Sequence, residues 1–515
     1  MLTGDILRQT ALRSPAKDAV RSAGRAISYN ALDRLADRIA NAVLDLRLPR
    51  SSVTAILSTN QLEYPAIFFG LARTPHILAH LSVRYTEADL VYVLNKTGAV
   101  LLFVHEDFLP LAQQIRARVP TLKHVVAFGP KRDYGDAIPF DRFVEAGRDL
   151  PPAVSITAND PFAITFTGGT TGFPKAVCVT HKQRVAASHM AAAQFGLRPD
   201  DVFSCVTPLF HVAGIFSWYL TGVLVGGTFA FAQRWDPAEF VAQVQRERIT
   251  CGFLVPTMIN MLVAHEAATP ENLKNLRYLN FGGSPMPAAM LERAMRKLPH
   301  VQFLEHYGQS EAGVLALRPS EFNVSKADSI GRAFRGLTLE VHDAKGRTLK
   351  SGELGELVVN GPGNLLGYYN DPEQTALLYN PAAPGWLRTG DVGFIDADGF
   401  VFLVDRSKDM IISGGENIYP TEIENTLFQH EAVAECAVFG IPDATWGEVP
   451  AAHVVLKPGV EASEDEIIEF CAARIQRHKR PRVVKFVPAL PKTAIGKIQK
   501  NVLREPYWRD QGRRI

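Results

Sequence analysis

Residues 162–175 carry the apolar run Phe162-Ala163-Ile164-Thr165-Phe166, followed by the loop Thr167-Gly168-Gly169-Thr170-Thr171-Gly172-Phe173-Pro174-Lys175. The apolar run predicts a buried strand, and the alanine-rich segment Lys182 to Phe195 beyond the loop predicts a helix. Glycines expose backbone N–H groups, threonines add hydroxyl donors, and a lysine balances negative charge, a combination that suits a polyphosphate. A strand, a glycine loop and a helix together predict a site that holds the phosphates of a nucleotide.

The loop differs from a Walker A element, in which the lysine directly follows the last glycine and precedes Ser or Thr. Phe173 and Pro174 intervene in this chain and Ala176 follows the lysine, which argues against a kinase or a GTPase. A flexible surface turn is the alternative for these nine residues taken alone, because Gly and Thr also cluster in ordinary loops.

The composition is that of an ordinary globular protein, with 515 residues, 47% hydrophobic and 21% charged. A net charge of +2 gives no reason to expect a nucleic acid partner. The segment Met1–Thr10 lacks the apolar centre of a signal peptide, and glycines interrupt the most apolar segment, Phe216–Ala232. Five scattered cysteines fit a reducing compartment. We therefore expect a cytoplasmic protein with no membrane span and with buried, inert thiols.

Strand and helix patterns alternate along the first part of the chain, as in Ala31–Leu46, which carries one apolar helical stripe, and Val53–Leu57, an apolar strand. This alternation predicts α/β layers with largely parallel sheets. Short strands and glycine turns make Gly331–Asp405 a smaller β-rich unit. A compact α+β tail follows, in which Glu464–Gln476 is a predicted helix, and the domain junction is predicted near residues 405–409.

Further motifs follow the loop in a fixed order. They are Pro208-Leu209-Phe210-His211, Gly282-Gly283-Ser284-Pro285, Tyr307-Gly308-Gln309-Ser310-Glu311, Thr389-Gly390-Asp391, Asp405-Arg406-Ser407-Lys408-Asp409, Ser413-Gly414-Gly415-Glu416-Asn417 and Pro491-Lys492-Thr493-Ala494-Ile495-Gly496-Lys497. Each motif alone has an ordinary explanation as a turn, a cap or a solvated lysine. Together they resemble the adenylate-forming superfamily of acyl-CoA synthetases, luciferases and peptide-synthetase adenylation domains, over nearly the whole chain.

The resemblance implies an enzyme with two half-reactions. A carboxylate attacks the α-phosphorus of Mg-ATP and expels pyrophosphate, and a thiol, usually that of coenzyme A, then displaces AMP from the acyl-adenylate. It also implies an N-terminal domain at 1–405 of layered α/β subdomains, with a small β-barrel-like unit at 331–405, and a small mobile α+β C-terminal domain at 409–515.

Site residues are implied by the same resemblance. Lys497, Ser310 and Glu311 would be catalytic, with Ser310 donating to the α-phosphate and Glu311 holding Mg²⁺. The remaining nucleotide-binding residues would be Thr167, Gly168, Gly169, Thr170, Thr171, Gly172 and Lys175 at the β- and γ-phosphates, Gly283, Ser284, Pro285 and Tyr307 at the adenine, and Asp391 at the ribose. Gly308, Gln309 and, from across the domain junction, Arg406 would also bind the nucleotide. His211, Val212, Gly214 and Gly282 would line the acyl pocket.

The C-terminal domain would rotate about a hinge at Lys408 between the half-reactions. One pose would bring Lys497 to the phosphates, and the other would place Gly414 and Gly415 beside the tunnel for coenzyme A. Glycine suits a tunnel wall because a thin ligand can pass close to bare backbone. A strand-end turn is the alternative for these two glycines. Family analogy also favours a homodimer.

The sequence departs from the family pattern most clearly at Pro75–Ser82, which contains His76 and His80. The spacing of the two histidines is compatible with a metal pair, but no third ligand follows nearby, so hydrogen-bonded structural histidines are expected. Gly168 replaces the usual serine, and Ala176 the usual glycine. No residue that the mechanism needs is lost.

The substrate is expected to have an uncharged acyl or aryl tail. Apolar residues surround His211, where peptide-synthetase domains usually place an aspartate, so a buried ammonium would have no partner. The choice among fatty, aromatic and short dicarboxylic acids stays open. The alternatives to an acyl-CoA synthetase are an enzyme that loads a separate carrier protein, a silent nucleotide-binding protein and a luciferase-like oxidase.

Overall fold

The computed structural model describes residues 1–130, 133–167, 174–284, 286–406, 409–414, 416–492 and 498–509, and for Arg406 and Asn417 it describes the backbone alone. Within these ranges the α-helices are α1 (Thr3–Arg13), α2 (Tyr29–Asp45), α3 (Glu63–Leu71), α4 (Glu87–Thr97), α5 (Leu109–Ile115), α6 (Phe140–Glu145), α7 (His181–Phe195), α8 (Thr221–Val225), α9 (Pro237–Glu247), α10 (Pro256–Ala264), α11 (Ala288–Lys297), α12 (Pro372–Ala376), α13 (Pro420–Leu427), α14 (Glu464–Ala472) and α15 (Lys500–Trp508). Short 3-10 turns lie at Glu106–Phe108, Arg116–Arg118, Ser320–Phe322 and Arg477–Lys479, and Ala213–Leu220 is π-helical.

The first half of the strands comprises β1 (Asp18–Ser22), β2 (Arg25–Ser28), β3 (Val53–Leu57), β4 (Ile77–Leu81), β5 (Leu101–His105), β6 (His124–Phe128), β7 (Ile138–Pro139), β8 (Pro161–Thr167), β9 (Lys175–Thr180), β10 (Val202–Cys205), β11 (Thr228–Phe231), β12 (Cys251–Leu254) and β13 (Tyr278–Gly282). The second half comprises β14 (Gln302–Gln309), β15 (Gly313–Arg318), β16 (Gly331–Ala333), β17 (Thr338–His342), β18 (Gly355–Asn360), β19 (Gly367–Tyr368), β20 (Leu387–Ile395), β21 (Phe400–Arg406), β22 (Ile411–Ser413), β23 (Glu416–Ile418), β24 (Val433–Asp443), β25 (Gly447–Leu456) and β26 (Val483–Phe486).

Two large sheets form the N-terminal part. Among the described residues, one sheet has the order β19-β9-β8-β4-β3-β5-β6-β7, and a longer one has the order β17-β18-β20-β21-β16-β15-β14-β13-β12-β10-β11-β1-β2. The pairs from β8 through β7 and from β14 through β1 are parallel, whereas the strands of 331–406 pair antiparallel. The predicted α/β class is therefore confirmed, and the β-rich unit continues the longer sheet.

The predicted strand at 162–166 and the predicted helix at 182–195 are confirmed as β8 and α7, and the structure adds a strand between the loop and the helix that the sequence analysis does not predict. Strand β9 lies between them and pairs antiparallel with β8, so that Thr167 stands opposite Lys175. The β-branched and apolar run that follows Lys175 favours a strand. Helix α7 begins only after Thr180, whose side chain caps it through a capping box with Gln183.

The C-terminal residues form a sheet of their own, with the order β23-β22-β25-β24 and with β26 beside β25. Two apolar clusters of this region contain only residues from Ile411 onward, separate from the larger cores of the two big sheets. Helix α14 starts at the predicted capping box of Ser463 and Glu466, and it ends at Ala472, four residues before the predicted end.

The most apolar segment of the sequence is folded into the protein interior. It contributes the π-helical stretch, α8 and β11, and nearly all of its large side chains are buried. Among the helices that the described residues form, none has the length and apolar character that a membrane crossing requires. All five cysteines are free and buried, as expected for inert thiols.

Candidate active site

The antiparallel pairing of β8 with β9 brings together the two ends of the glycine loop. Thr167 and Lys175 face each other across this ladder, while Gly168, Gly169, Thr170, Thr171, Gly172 and Phe173 lie outside the described residues. The Nζ atom of Lys175 donates to Oε1 of Gln374 at 2.7 Å and lies 5.1 Å from the ring centre of Tyr368. The lysine is thus held by a neutral amide and an aromatic face.

Tyr368 connects this lysine to Glu311. The strand β19 pairs with β9, and from there the hydroxyl of Tyr368 donates to Oε1 of Glu311 at 2.8 Å. Burial, together with the neighbouring carboxylate of Glu311, raises the pKa of Tyr368 well above its usual range. Tyr368 therefore stays protonated and remains a donor. Neither Tyr368 nor Gln374 was predicted from the sequence, because neither belongs to a motif with charge or fixed spacing.

Ser310 and Glu311 lie in the tight connection between β14 and β15. Ser310 is buried, and its carbonyl oxygen accepts a hydrogen bond of 2.7 Å from Nη2 of Arg184 on α7. Glu311 is half-buried. A single carboxylate of this kind fits Mg²⁺, which usually takes one or two protein carboxylates and completes its shell with water and phosphate oxygens.

A second contact joins two of the predicted nucleotide residues. The hydroxyl of Tyr307, at the end of β14, donates to Oδ2 of Asp391 on β20, although 84 residues separate them. Asp391 is 7% exposed, and its backbone stands opposite that of Arg406 in the ladder of β20 with β21. The predicted adenine and ribose residues are therefore neighbours.

Gly282 and Gly214, both predicted to line the acyl pocket, pack tightly against backbone. A Cβ atom on Gly282 would lie 2.1 Å from the carbonyl oxygen of His306, and one on Gly214 would lie 2.2 Å from that of Pro208. Close strand and turn packing alone therefore requires glycine at these positions. After β13, Gly283 is exposed and Ser284 half-buried, whereas Pro285 lies outside the described residues.

His211 lies just before the π-helical stretch. It is half-buried, and its Nδ1 atom accepts a hydrogen bond of 3.3 Å from the backbone N–H of Ala213. Val212 beside it is buried, as are Phe216 and Trp218 further along. Their burial gives this wall the apolar character expected of an acyl pocket.

His76 and His80 are buried, and His80 Nδ1 lies 2.8 Å from the hydroxyl of Tyr64. The expectation of fully hydrogen-bonded histidines holds only in part, because His80 Nε2 and His76 Nδ1 have no hydrogen-bond partner in the described part of the chain. Burial lowers the pKa of His80 to about 3, so the ring is neutral at ordinary pH. In the part of the chain that the structure describes, no group of three or more His, Cys, Asp or Glu residues could hold a metal ion.

Several predicted residues of the C-terminal part lie outside the described residues, namely Lys408, Gly415 and Lys497. Lys492 and Ile498, which flank Lys497 on either side, form an antiparallel bridge with each other. Gly414 has a positive φ of +59°, and a Cβ there would lie 2.7 Å from the ring of Trp446, so this position requires glycine. Asp405 accepts a 3.0 Å hydrogen bond from the backbone N–H of Thr421, which joins β21 to α13.

Comparison with known proteins identifies the family. Residues 7–369 match the AMP-binding enzyme family, and residues 422–497 match the AMP-binding enzyme C-terminal domain. The chain belongs to the AMP-binding enzymes. Two relatives of this AMP-binding enzyme are the fatty acid–[acyl-carrier-protein] ligase ScoC of Streptomyces coeruleorubidus, 32% identical over 98% of this chain and 96% of ScoC, and the long-chain fatty acid–CoA ligase FadD13 of Mycobacterium tuberculosis, 33% identical over 98% of each chain.

The fold of this AMP-binding enzyme is also similar to that of a solved structure. ATP-bound MatB of Rhodopseudomonas palustris matches with a TM-score of 0.91 at 27% identity, over 100% of both chains. The apo structure of MatB gives a TM-score of 0.77 over the same coverage. The arrangement of this chain is therefore closer to that of the ATP-bound form.

Proposed function

We propose that this AMP-binding enzyme is an AMP-forming acyl-CoA synthetase that activates a carboxylic acid as its acyl-adenylate and transfers the acyl group to coenzyme A. The observation that carries the proposal is the connected chain from Lys175 through Tyr368 to Glu311. These contacts support the proposal because a lysine, a protonated tyrosine hydroxyl and a carboxylate lie next to one another at the end of the glycine loop, where they would bind phosphate and Mg²⁺.

In the adenylation step, the substrate carboxylate attacks the α-phosphorus of ATP, and the bond to pyrophosphate breaks. Lys175 would give up its hydrogen bond to Gln374 and bind the β- and γ-phosphates instead. This change breaks no ion pair among the described residues. Ser310 would donate to the α-phosphate, and Asp391 would accept from the ribose hydroxyls beside Tyr307. When bound through Glu311, Mg²⁺ would supply neutralisation of phosphate charge.

Lys497 would carry the second positive charge of this step. A lysine on a long stem can reach both the attacking carboxylate and the α-phosphate as negative charge builds there. In the thioester step, the thiolate of coenzyme A attacks the acyl carbonyl and AMP leaves. Gly414 and Gly415 would then border the path of the pantetheine arm, with Lys408 as the hinge between the two poses.

A second candidate function is the loading of an acyl group onto the phosphopantetheine of a separate carrier protein. The relation to ScoC, which is named as a ligase of acyl-carrier protein, favours it. The chemistry of adenylation is the same in both cases, and the acceptor alone differs.

Pyrophosphate release from Mg-ATP, measured against a panel of carboxylic acids with and without coenzyme A, tests the proposal. Acid-dependent release that accelerates strongly with coenzyme A supports a CoA ligase. Acid-dependent release that ignores coenzyme A but responds to a phosphopantetheinylated carrier protein supports the second candidate. Release that is independent of any acid contradicts both.

A further inference from the structure

Arg184 on α7 is a buried cation between the candidate acyl wall and the candidate phosphate segment. It is 1% exposed, its Cζ atom lies 5.0 Å from the ring centre of Phe216, and Nη2 donates to the carbonyl oxygen of Ser310. A Cβ atom on Gly313 would lie 3.1 Å from Nη1, so the guanidinium occupies space that a side chain at Gly313 would need. Arg184 thus lies where the tail of an activated acid would begin.

The guanidinium of Arg184 is not neutralised by a carboxylate. Its Nε and Nη1 atoms have no hydrogen-bond partner, and among the described residues no carboxylate oxygen lies within 4.0 Å of it. Two other buried arginines differ: Arg73 pairs with Asp37 at 2.7 Å and with Asp33, and Arg318 lies 2.5 Å from Glu305. Burial lowers the pKa of Arg184 to about 10, which still leaves it charged at neutral pH. An unpaired buried charge is costly, so its presence calls for an anionic partner from elsewhere.

The negative charge of Glu311 partly offsets the positive charge of Arg184. Under the proposed function, Glu311 would hold Mg²⁺, and its negative charge would then be shared with the metal. Ser188, one turn further along the same buried face of α7, adds a hydroxyl that also has no hydrogen-bond partner among the residues the structure describes.

We propose that Arg184 determines substrate specificity by binding a second carboxylate on the acid, so that the preferred substrate class is a short dicarboxylic acid. The inference rests on the proposed function and refines it. The tail is short because the guanidinium is hydrogen-bonded to Ser310, beside the reacting phosphate. It replaces the expectation of an uncharged tail, and it also disfavours amino acids, whose ammonium group Arg184 would repel.

Matched pairs of acids test Arg184. Succinate is compared with 4-methylpentanoate and glutarate with 5-methylhexanoate, in which an isopropyl group replaces the second carboxylate at similar size. Pyrophosphate release with coenzyme A gives kcat/KM for each acid with the wild type, Arg184→Leu, Arg184→Lys and the control Arg246→Leu, which removes an exposed arginine of α9. We expect the wild type to favour the dicarboxylic acid of at least one pair by about 100-fold or more, because a site built to pair a polar group rejects the analogue that lacks it.

Arg184→Leu is expected to abolish or invert that ratio while the KM for ATP stays within about twofold, and Arg184→Lys to retain part of it. Arg246→Leu should leave the ratio unchanged. A wild type that favours the isopropyl acids, or an Arg184→Leu variant that loses both acids equally with a raised KM for ATP, overturns the proposal and leaves Arg184 as a positioning residue for Ser310.

Calorimetric titration of the wild type and of Arg184→Lys with the same acids, with and without the non-cleavable analogue α,β-methylene-ATP and Mg²⁺, gives a test that is independent of turnover. Binding of a dicarboxylic acid that weakens in the lysine variant supports the role of Arg184 even if no acyl-CoA forms, in which case the proposed function alone fails. Binding of the isopropyl acids in preference to the dicarboxylic acids contradicts the role of Arg184 whatever the turnover.

Discussion

The nucleotide side and the acyl side of the candidate active site differ in the partners of their charged residues. On the nucleotide side, Lys175, Glu311 and Asp391 each contact a neutral side chain that a ligand oxygen, a hydroxyl or a metal could replace. On the acyl side, Arg184 lies against the ring of Phe216 and donates to one backbone carbonyl, and two of its nitrogen atoms have no hydrogen-bond partner among the described residues. On the nucleotide side, each charged residue can thus exchange a neutral partner for an atom of ATP or for Mg²⁺. On the acyl side, no described carboxylate pairs with Arg184, so the negative charge would have to come from the acid.

Removal of Lys497 should produce the largest effect and confine it to the nucleotide side. Lys497→Ala is expected to lower the rate of adenylation by at least about 100-fold, because it removes a cation from the charge that builds at the α-phosphate. Thioester formation from a supplied acyl-adenylate should stay within about threefold of the wild type, since that step releases AMP rather than building this charge. Rapid-quench measurement of each half-reaction checks both values.

Lys492→Ala is the matched control, because Lys492 lies at the edge of the same segment and pairs with Glu435 at 2.7 Å on the surface. It should leave both half-reactions unchanged. An equal loss of both steps in Lys497→Ala would refute the division of labour between the two poses.

The buried arginines give the next largest effect. Arg73→Leu should lower the free energy of unfolding by about 3 kcal/mol, because it leaves Asp33 and Asp37 buried with an incomplete set of partners. Arg184→Leu should be neutral or stabilising, since it removes a buried charge that forms no ion pair with any described residue and that Glu311 offsets only in part. Urea unfolding followed by tryptophan fluorescence compares the two variants. If Arg184→Leu costs as much as Arg73→Leu, Arg184 is part of a balanced network and the contrast between the two sides disappears.

The protonation of His80, which lies near the acyl side beside Phe216, should make the stability of the protein depend on pH. Its folded pKa of about 3 is below the ordinary 6.5, so the unfolded chain binds a proton that the folded chain does not. Stability is therefore lost as the pH falls below about 6.5, at a rate of up to about 1.4 kcal/mol per pH unit for this one group.

Replacement of His80 by Asn should reduce the slope of the unfolding free energy against pH between pH 6.5 and 4. The reduction should correspond to the uptake of one proton fewer on unfolding. His306→Asn should reduce the slope similarly, because burial lowers the pKa of His306 to about 4. An unchanged slope in His80→Asn would mean that the ring is protonated in the folded protein and has an anionic neighbour.

Loss of the Tyr368 hydroxyl should have the smallest effect. Tyr368→Phe removes one hydrogen bond to Glu311, worth about 1 kcal/mol, and should raise the KM for Mg-ATP about fivefold with little change in KM for the acid. Tyr369→Phe, at the neighbouring residue, is the control. A larger effect on the acid than on ATP would place Tyr368 on the acyl side.

Local patterns predicted a good part of the fold, while long-range pairing escaped them. The strand β8 and the helix α7 were predicted because an apolar run and an alanine-rich helical stretch are local signals. Strand β9 was not predicted, although Ala176–Val179 is a strand-type run, and no element was assigned between Lys175 and Lys182.

The same distinction holds for the site. Motif residues such as Tyr307 and Asp391 were predicted and are in contact, whereas Tyr368 was not, since only the pairing of β19 with β9 brings it to Lys175. The sequence contains one indication of Arg184, namely a charged residue on the buried face of α7. Its position in the site, however, follows only from its contacts with Phe216 and Gly313, which are distant in the sequence.

The most direct measurement is to incubate the enzyme with Mg-ATP, coenzyme A and an equimolar mixture of the four matched acids, and to identify the products by mass spectrometry. The account predicts AMP together with an acyl-CoA that keeps a free carboxylate. Acyl-CoA products of the isopropyl acids alone would contradict the role of Arg184. Formation of ADP in place of AMP, with no acyl-adenylate detectable, would contradict the proposed synthetase.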